Sequence, residues 1–163
     1  MVEKGRFVAR LGVATVMAVL ATTGAVSTVT AQAAAPAMCK GHVATLVGTS
    51  GGDQIVGTPA RDVIQARGGA DEIRARGGND LVCAGGGNDD IRGGRGGDHV
   101  YAGLGADELR GSAGRDRLHG GRGNDELFGG HGRDGLYGDA GIDHGDGGPG
   151  TDLCRSVEVS SSC

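Results

Sequence analysis

Aspartate recurs at a fixed interval of nine residues, at Asp53, Asp62, Asp71, Asp80, Asp89, Asp98, Asp107, Asp116, Asp125, Asp134, Asp143 and Asp152. These twelve positions use most of the chain's 15 aspartates. Carboxylates held at one phase of a repeat are oxygen donors in series, which is chemistry for a hard cation. Glycine stands two residues before each of them, Ala60 excepted. Two residues after each comes an apolar column: Ile55, Ile64, Ile73, Val82, Ile91, Val100, Leu109, Leu118, Leu127 and Leu136, broken only by Gly145 and Cys154. Three columns locked to one period establish an internal repeat.

The elements that must position these carboxylates follow from the period. Each unit reads as a six-residue glycine-rich turn ending in Asp, then three residues whose middle member is apolar. Three residues centred on one inward side chain make a short β-strand, because neighbours alternate faces. Two units close a coil of 18 residues, with a strand on each side and a turn at each end. Residues 48–155 supply twelve units and hence six coils stacked about 4.8 Å apart. The expected fold is all-β, a right-handed parallel β-roll of two thin sheets back to back. One edge stacks Asp53, Asp71, Asp89, Asp107, Asp125 and Asp143, and the other stacks Asp62, Asp80, Asp98, Asp116, Asp134 and Asp152.

Composition agrees with a fold held by something other than a large core. The chain of 163 residues has 36 Gly, two Phe, two Tyr and no Trp, so a conventional enzyme core is not expected. Residues 1–33 have the three parts of a secretory signal peptide: basic Lys4, Arg6 and Arg10, an apolar Leu11–Leu20 run, and small residues ending Ala31-Gln32-Ala33. The apolar run is short for a membrane span, and no second one follows. The expected product is secreted and extracellular. Without those residues, 13 Lys and Arg face 19 Asp and Glu, a net charge of −6, which argues against nucleic-acid binding. The weight of Arg, Gly and Ala points to a bacterial, GC-rich genome.

Gly-Gly-Arg-Gly-Asn-Asp-Glu-Leu-Phe (120–128) and Gly-Gly-Arg-Gly-Gly-Asp-His-Val-Tyr (93–101) resemble the RTX, or haemolysin-type, calcium-binding nonapeptide. The resemblance implies Ca²⁺ between successive turns, and the physical chemistry concurs. Carboxylates at coil spacing repel by about 1 kcal/mol per neighbour in water, more at lower dielectric. Ca²⁺ takes six to eight oxygens in flexible geometry, whereas Mg²⁺ prefers a rigid octahedron. The alternative is that the aspartates only cap their own turns. Twelve turns allow at most ten inter-turn sites. The strongest candidates run from Asp71 to Asp134, because the turns 48–52 and 57–61 open on Gly-Thr instead of a double glycine and the unit 138–146 carries Ile142 and Gly145 off pattern. Members of the family usually lack a cleaved leader, so a C-terminal secretion role does not carry over.

In an exported chain, Cys39, Cys83, Cys154 and Cys163 are expected to form two disulfides. Three connectivities are open, and Cys39–Cys83 with Cys154–Cys163 is favoured. Segments 34–47 and 156–163 are expected to cap the roll. One face carries Glu72, Asp90, Glu108 and Glu126 beside Arg74, Arg92 and Arg110; the other carries the column Tyr101, His119 and Tyr137. That column is either cross-strand packing or a surface for sugars or a partner protein. With 14 residues before the repeats and eight after, no catalytic domain and no enzyme activity are expected. The sequence reads as a secreted calcium-binding protein whose roll folds on Ca²⁺. The alternative is a calcium-dependent adhesin or sugar-binding module using Tyr101, His119 and Tyr137.

Overall fold

The computed structural model describes residues 35–163, so the signal segment 1–33 lies outside the described residues. A hairpin of β1 (Met38–Cys39) and β2 (His42–Val43) comes first. Then follow β3 (Leu46–Val47), β4 (Gln54–Val56), β5 (Val63–Gln65), β6 (Glu72–Gly77), β7 (Leu81–Gly86), β8 (Asp90–Arg95) and β9 (His99–Leu104). The chain continues through β10 (Glu108–Gly114), β11 (Arg117–Arg122), β12 (Glu126–Gly132), β13 (Gly135–Ala140), β14 (His144–Asp146), β15 (Leu153–Arg155) and β16 (Val159–Ser161). Beyond the hairpin the strands alternate between two parallel seven-stranded sheets, one holding the even-numbered strands β4 to β16 and the other the odd-numbered β3 to β15. From β3 to β15 each strand pairs with its counterpart 18 residues away, as in Ile91↔Leu109↔Leu127, and β16 pairs with β14 at a separation of 15. This is the expected all-β roll of about six coils.

Ile64, Ile73, Val82, Ile91, Val100, Leu109, Leu118, Leu127 and Leu136 are fully buried in single file between the sheets. A second inward column, four residues after each Asp, contains only Ala or Gly from Gly57 to Gly147 and ends at Ser156; Ala66, Ala75, Ala84 and Ala102 are fully buried there. Larger side chains lack room there, since a Cβ on Gly93 or Gly120 would already meet Oδ2 of Asp98 or Asp125. The central strands run to six or seven residues instead of three. The extra length comes from turn residues that keep pairing with the next coil, as Gly103↔Gly121 does. Left-handed backbone at two turn positions makes this pairing fit, as at Gly94 (φ 117°) and Gly96 (φ 118°). A side chain on Gly96 would collide with the Gly78 carbonyl of the preceding coil.

Both ends are built from the flanks. The β1–β2 hairpin lies on the outer face of the odd-strand sheet, where Cys39 is fully buried with Val63 and Leu81. Cys39 is bonded to Cys83, with the Cα atoms 5.7 Å apart. At the other end β16 extends the even-strand sheet. Val157 packs where the apolar column lapses: its Cγ1 is 3.2 Å from where a Cβ on Gly145 would sit. Cys154 packs against the core and is bonded to Cys163, Cα to Cα 5.8 Å. Among the described residues no helix is long and apolar enough to cross a membrane.

Candidate metal centre

The turns bring the twelve aspartates to the two edges of the roll, and ten of them, Asp62 to Asp143, are buried. The two carboxylate oxygens have separate roles. Oδ1 accepts the backbone N–H of the Asp one coil earlier. This bond joins Asp53 to Asp71 (2.8 Å), Asp71 to Asp89 (2.9 Å), Asp89 to Asp107 (2.8 Å) and Asp107 to Asp125 (2.9 Å). The other edge repeats it from Asp62 to Asp80 (2.7 Å) and onward to Asp152 (2.8 Å). These bonds cross between coils, so the aspartates from Asp71 onward do not simply cap their own turns.

Oδ2 has no partner. In Asp71, Asp80, Asp89, Asp98, Asp107, Asp116, Asp125, Asp134, Asp143 and Asp152 this oxygen is buried and accepts no hydrogen bond. It lies against the start of its own turn, where a Cβ built on Gly111 or Gly129 would come 2.5 or 2.8 Å from Oδ2 of Asp116 or Asp134. A buried ionised oxygen left unpaired is strongly unfavourable. The carboxyls respond by holding their protons. Burial raises Asp89 and Asp116 to about 7, opposed by the N–H bond each accepts and assisted by the neighbouring carboxylates. Burial likewise raises Asp80 and Asp125 to about 6, and it lifts Asp71, Asp98, Asp107, Asp134 and Asp143 above the ordinary value.

Asp53 and Asp62 differ. In each, Oδ2 accepts the N–H of the Thr four residues earlier, at 2.6 Å for both Thr49 and Thr58. The Thr hydroxyls add bonds of 3.1 and 3.0 Å. These two turns are the self-capped kind.

Several contributors carry no signal in the aspartate period. Asn79, Asn88 and Asn124 each accept, through Oδ1, a backbone N–H from the next coil, at 2.8, 3.0 and 3.0 Å. Asn precedes the repeat Asp in three of twelve units, as often as Arg does, so the sequence does not single these residues out. Glu158 ends one edge by accepting the Asp143 N–H through Oε2 at 2.6 Å, in the place of a next Asp. Lying outside the nine-residue frame, it could not be read from the period.

The orphaned oxygens fit a hard divalent cation. Two successive carboxylates would hold the ion at each gap, with turn carbonyls as further oxygen donors, a set that would suit the oxygen-rich, flexible shell of Ca²⁺. Such a site needs no cluster of three acidic or imidazole side chains, and none occurs among the described residues. On the broad faces, Arg92 pairs with Asp90 (3.4 Å), Arg110 with Asp90 (3.7 Å) and Glu108, and Arg74 with Glu72. The rings of Tyr101, His119 and Tyr137 stack with centroids 4.8 and 4.5 Å apart. Lys40 Nζ sits 4.1 Å above Tyr101.

A family model described as RTX calcium-binding nonapeptide repeat (4 copies) matches residues 47–82, 84–118 and 110–145, more than half of the chain. No curated protein and no solved structure gives a significant match. With a matching repeat, an 18-residue coil and carboxylates in register along both edges, the chain belongs to the RTX calcium-binding nonapeptide repeat family.

Proposed function

We propose that the protein is exported and that its roll folds on binding Ca²⁺ between successive turns. The column of ten buried Oδ2 atoms without partners carries this reading. Five such carboxylates on each edge leave four gaps per edge, eight in all. Asp53 and Asp62 fall outside the count because threonine already satisfies them. Bound Ca²⁺ would supply the positive charge that lets stacked carboxylates stay ionised. The chain's part is to hold Oδ1 in the N–H ladder, which leaves Oδ2 of the folded roll buried and free for the ion. Extracellular modules bind Ca²⁺ at about 10⁻⁴ to 10⁻³ M, so such a chain would stay unfolded inside the cell and fold outside. The two disulfides and the N-terminal segment support export. No catalytic role is proposed.

The test is far-UV circular dichroism of the exported form, residues 34–163, titrated with Ca²⁺ after chelation and with Mg²⁺ as control. A cooperative coil-to-β transition with Ca²⁺ alone is expected. An unchanged β spectrum in chelator would overturn the coupling. The second reading is a calcium-dependent adhesive module acting through Tyr101, His119 and Tyr137. It is weaker because the facing rings already stack on one another and under Lys40, which leaves mainly ring edges for a sugar.

A further inference from the structure

The two edges of the roll carry different charge outside the aspartate columns. The edge whose turns end at Asp62, Asp80, Asp98, Asp116 and Asp134 places one arginine on each of five successive coils: Arg61, Arg76, Arg95, Arg115 and Arg133. All five are exposed, as is His131 among them. No acidic side chain other than the inward aspartates lies on these turns. The opposite edge has only Arg67 and Arg122, offset by Asp139.

Two observations separate this row from ordinary solvated charge. Arg74, Arg92 and Arg110 on the broad face each meet a carboxylate, whereas none of the five edge arginines forms an ion pair among the described residues. Two of the five, Arg76 and Arg95, also line a shallow groove of about 650 Å³ with His131, over a floor that includes Gly77, Gly94 and Ala113. Like charges on neighbouring coils repel one another, and the only acids on these turns are the inward aspartates. An acidic ligand would relieve that repulsion.

We infer that this arginine edge is a docking surface for a linear acidic polysaccharide. Arg61, Arg115 and Arg133 stand immediately before their Asp, while Arg76 and Arg95 stand four and three residues before theirs, and each guanidinium can take a carboxylate or sulfate bidentately. A nucleic-acid strand is the poorer fit. Single strands are gripped by stacking of their bases on aromatic side chains, and the turns of this edge carry no Phe, Tyr or Trp. The glycine and alanine floor lets an extended chain lie close to the backbone.

The experiment measures binding of purified protein, in excess Ca²⁺, to a size-defined heparin oligosaccharide, a neutral dextran oligosaccharide and a single-stranded oligonucleotide of equal charge. Heparin binding that weakens with salt is expected, with no dextran binding and weaker oligonucleotide binding. R95Q/R115Q/R133Q should lose at least about tenfold in affinity, while R74Q/R92Q on the broad face stays within about twofold. An unaffected triple variant, or an oligonucleotide bound as tightly as heparin, overturns the assignment. If the triple variant fails to fold, the three single variants carry the same comparison, each losing about two- to threefold. Circular dichroism in the same buffer reports folding separately, so a failure of calcium-coupled folding and a failure of polysaccharide binding give different results.

Discussion

The first two turns and the ten that follow present the same carboxylate in two chemical states. At Asp53 and Asp62 the chain satisfies Oδ2 itself, with a threonine N–H and hydroxyl. From Asp71 onward the same oxygen is buried and unpaired. The difference originates four residues before the Asp. Thr49 and Thr58 are β-branched and do not take left-handed backbone angles, so their N–H groups turn onto the carboxylate. In the later turns that position is left-handed, as at Gly85, Gly94 and Gly103, and it pairs with the neighbouring coils instead. A metal site here is therefore made as much by withholding a donor as by supplying a carboxylate.

The largest effect should come from D116N set against D62N. Asn keeps the Oδ1 acceptor for the Asp98 N–H and removes the charge. With Ca²⁺ present, D116N should weaken two adjacent gaps and raise the calcium midpoint several-fold. In chelator it should instead favour the roll, because a buried charge is gone. D62N lies outside the counted gaps and should cost about 1 kcal/mol or less as a weakened cap, with little change in the calcium midpoint. Calcium titrations followed by circular dichroism check all three. Equal calcium shifts in both variants would break the distinction between the two kinds of turn.

Acid should substitute for the ion. Burial raises Asp80 and Asp125 to about 6, and Asp89 and Asp116 to about 7, from 3.8. Between those limits the metal-free roll binds more protons than the unfolded chain, so its stability falls as pH rises. The roll in chelator should be most stable near or below pH 4 and lose that stability progressively through pH 7. Excess Ca²⁺ should reverse the trend, because it binds the ionised carboxylate. Far-UV circular dichroism in chelator at pH 4.5 and pH 7.5 tests the sign, and more β structure at pH 7.5 than at pH 4.5 would contradict it.

A smaller effect should follow from T58G. Glycine removes the hydroxyl that bonds Asp62 and permits the left-handed angle of the later turns. The turn loses its cap, worth about 1 kcal/mol, and Asp62 Oδ2 becomes free to join Asp80 at a further gap. Calorimetric stoichiometry should rise by one, with weaker affinity at that gap because Pro59 and Ala60 keep the turn off pattern.

How much of this was legible in the sequence depends on whether a feature repeats. The columns at Asp, at the apolar residue and at glycine define the coil, the two edges and the core file, because a solenoid repeats the same contacts in every coil. The division of labour between Oδ1 and Oδ2 was not legible, since spacing places a carboxylate but does not orient it. The six-residue strands were missed because turn glycines read as breakers until their left-handed angles are seen to preserve pairing. Val157 and Glu158 show the same limit at the end of the roll. Each stands in for a missing repeat residue from outside the frame, and only three-dimensional packing relates it to Gly145 or Asp143.

The finest test separates backbone conformation from charge. Arg67 (φ 85°) and Ser112 (φ 87°) occupy the left-handed position that glycine takes in most other turns. A non-glycine residue there costs about 1–2 kcal/mol, of which glycine's extra unfolded-state entropy returns about 0.5–1 kcal/mol. R67G and S112G should therefore each stabilise the roll by about 0.5–1 kcal/mol. Their contribution is made whenever the turn is folded, so the gain should appear equally at saturating Ca²⁺ and in acid without it. Should either variant gain stability only when Ca²⁺ is present, that angle would belong to the site itself, and withholding the N–H donor and aiming the carboxylate would be one event.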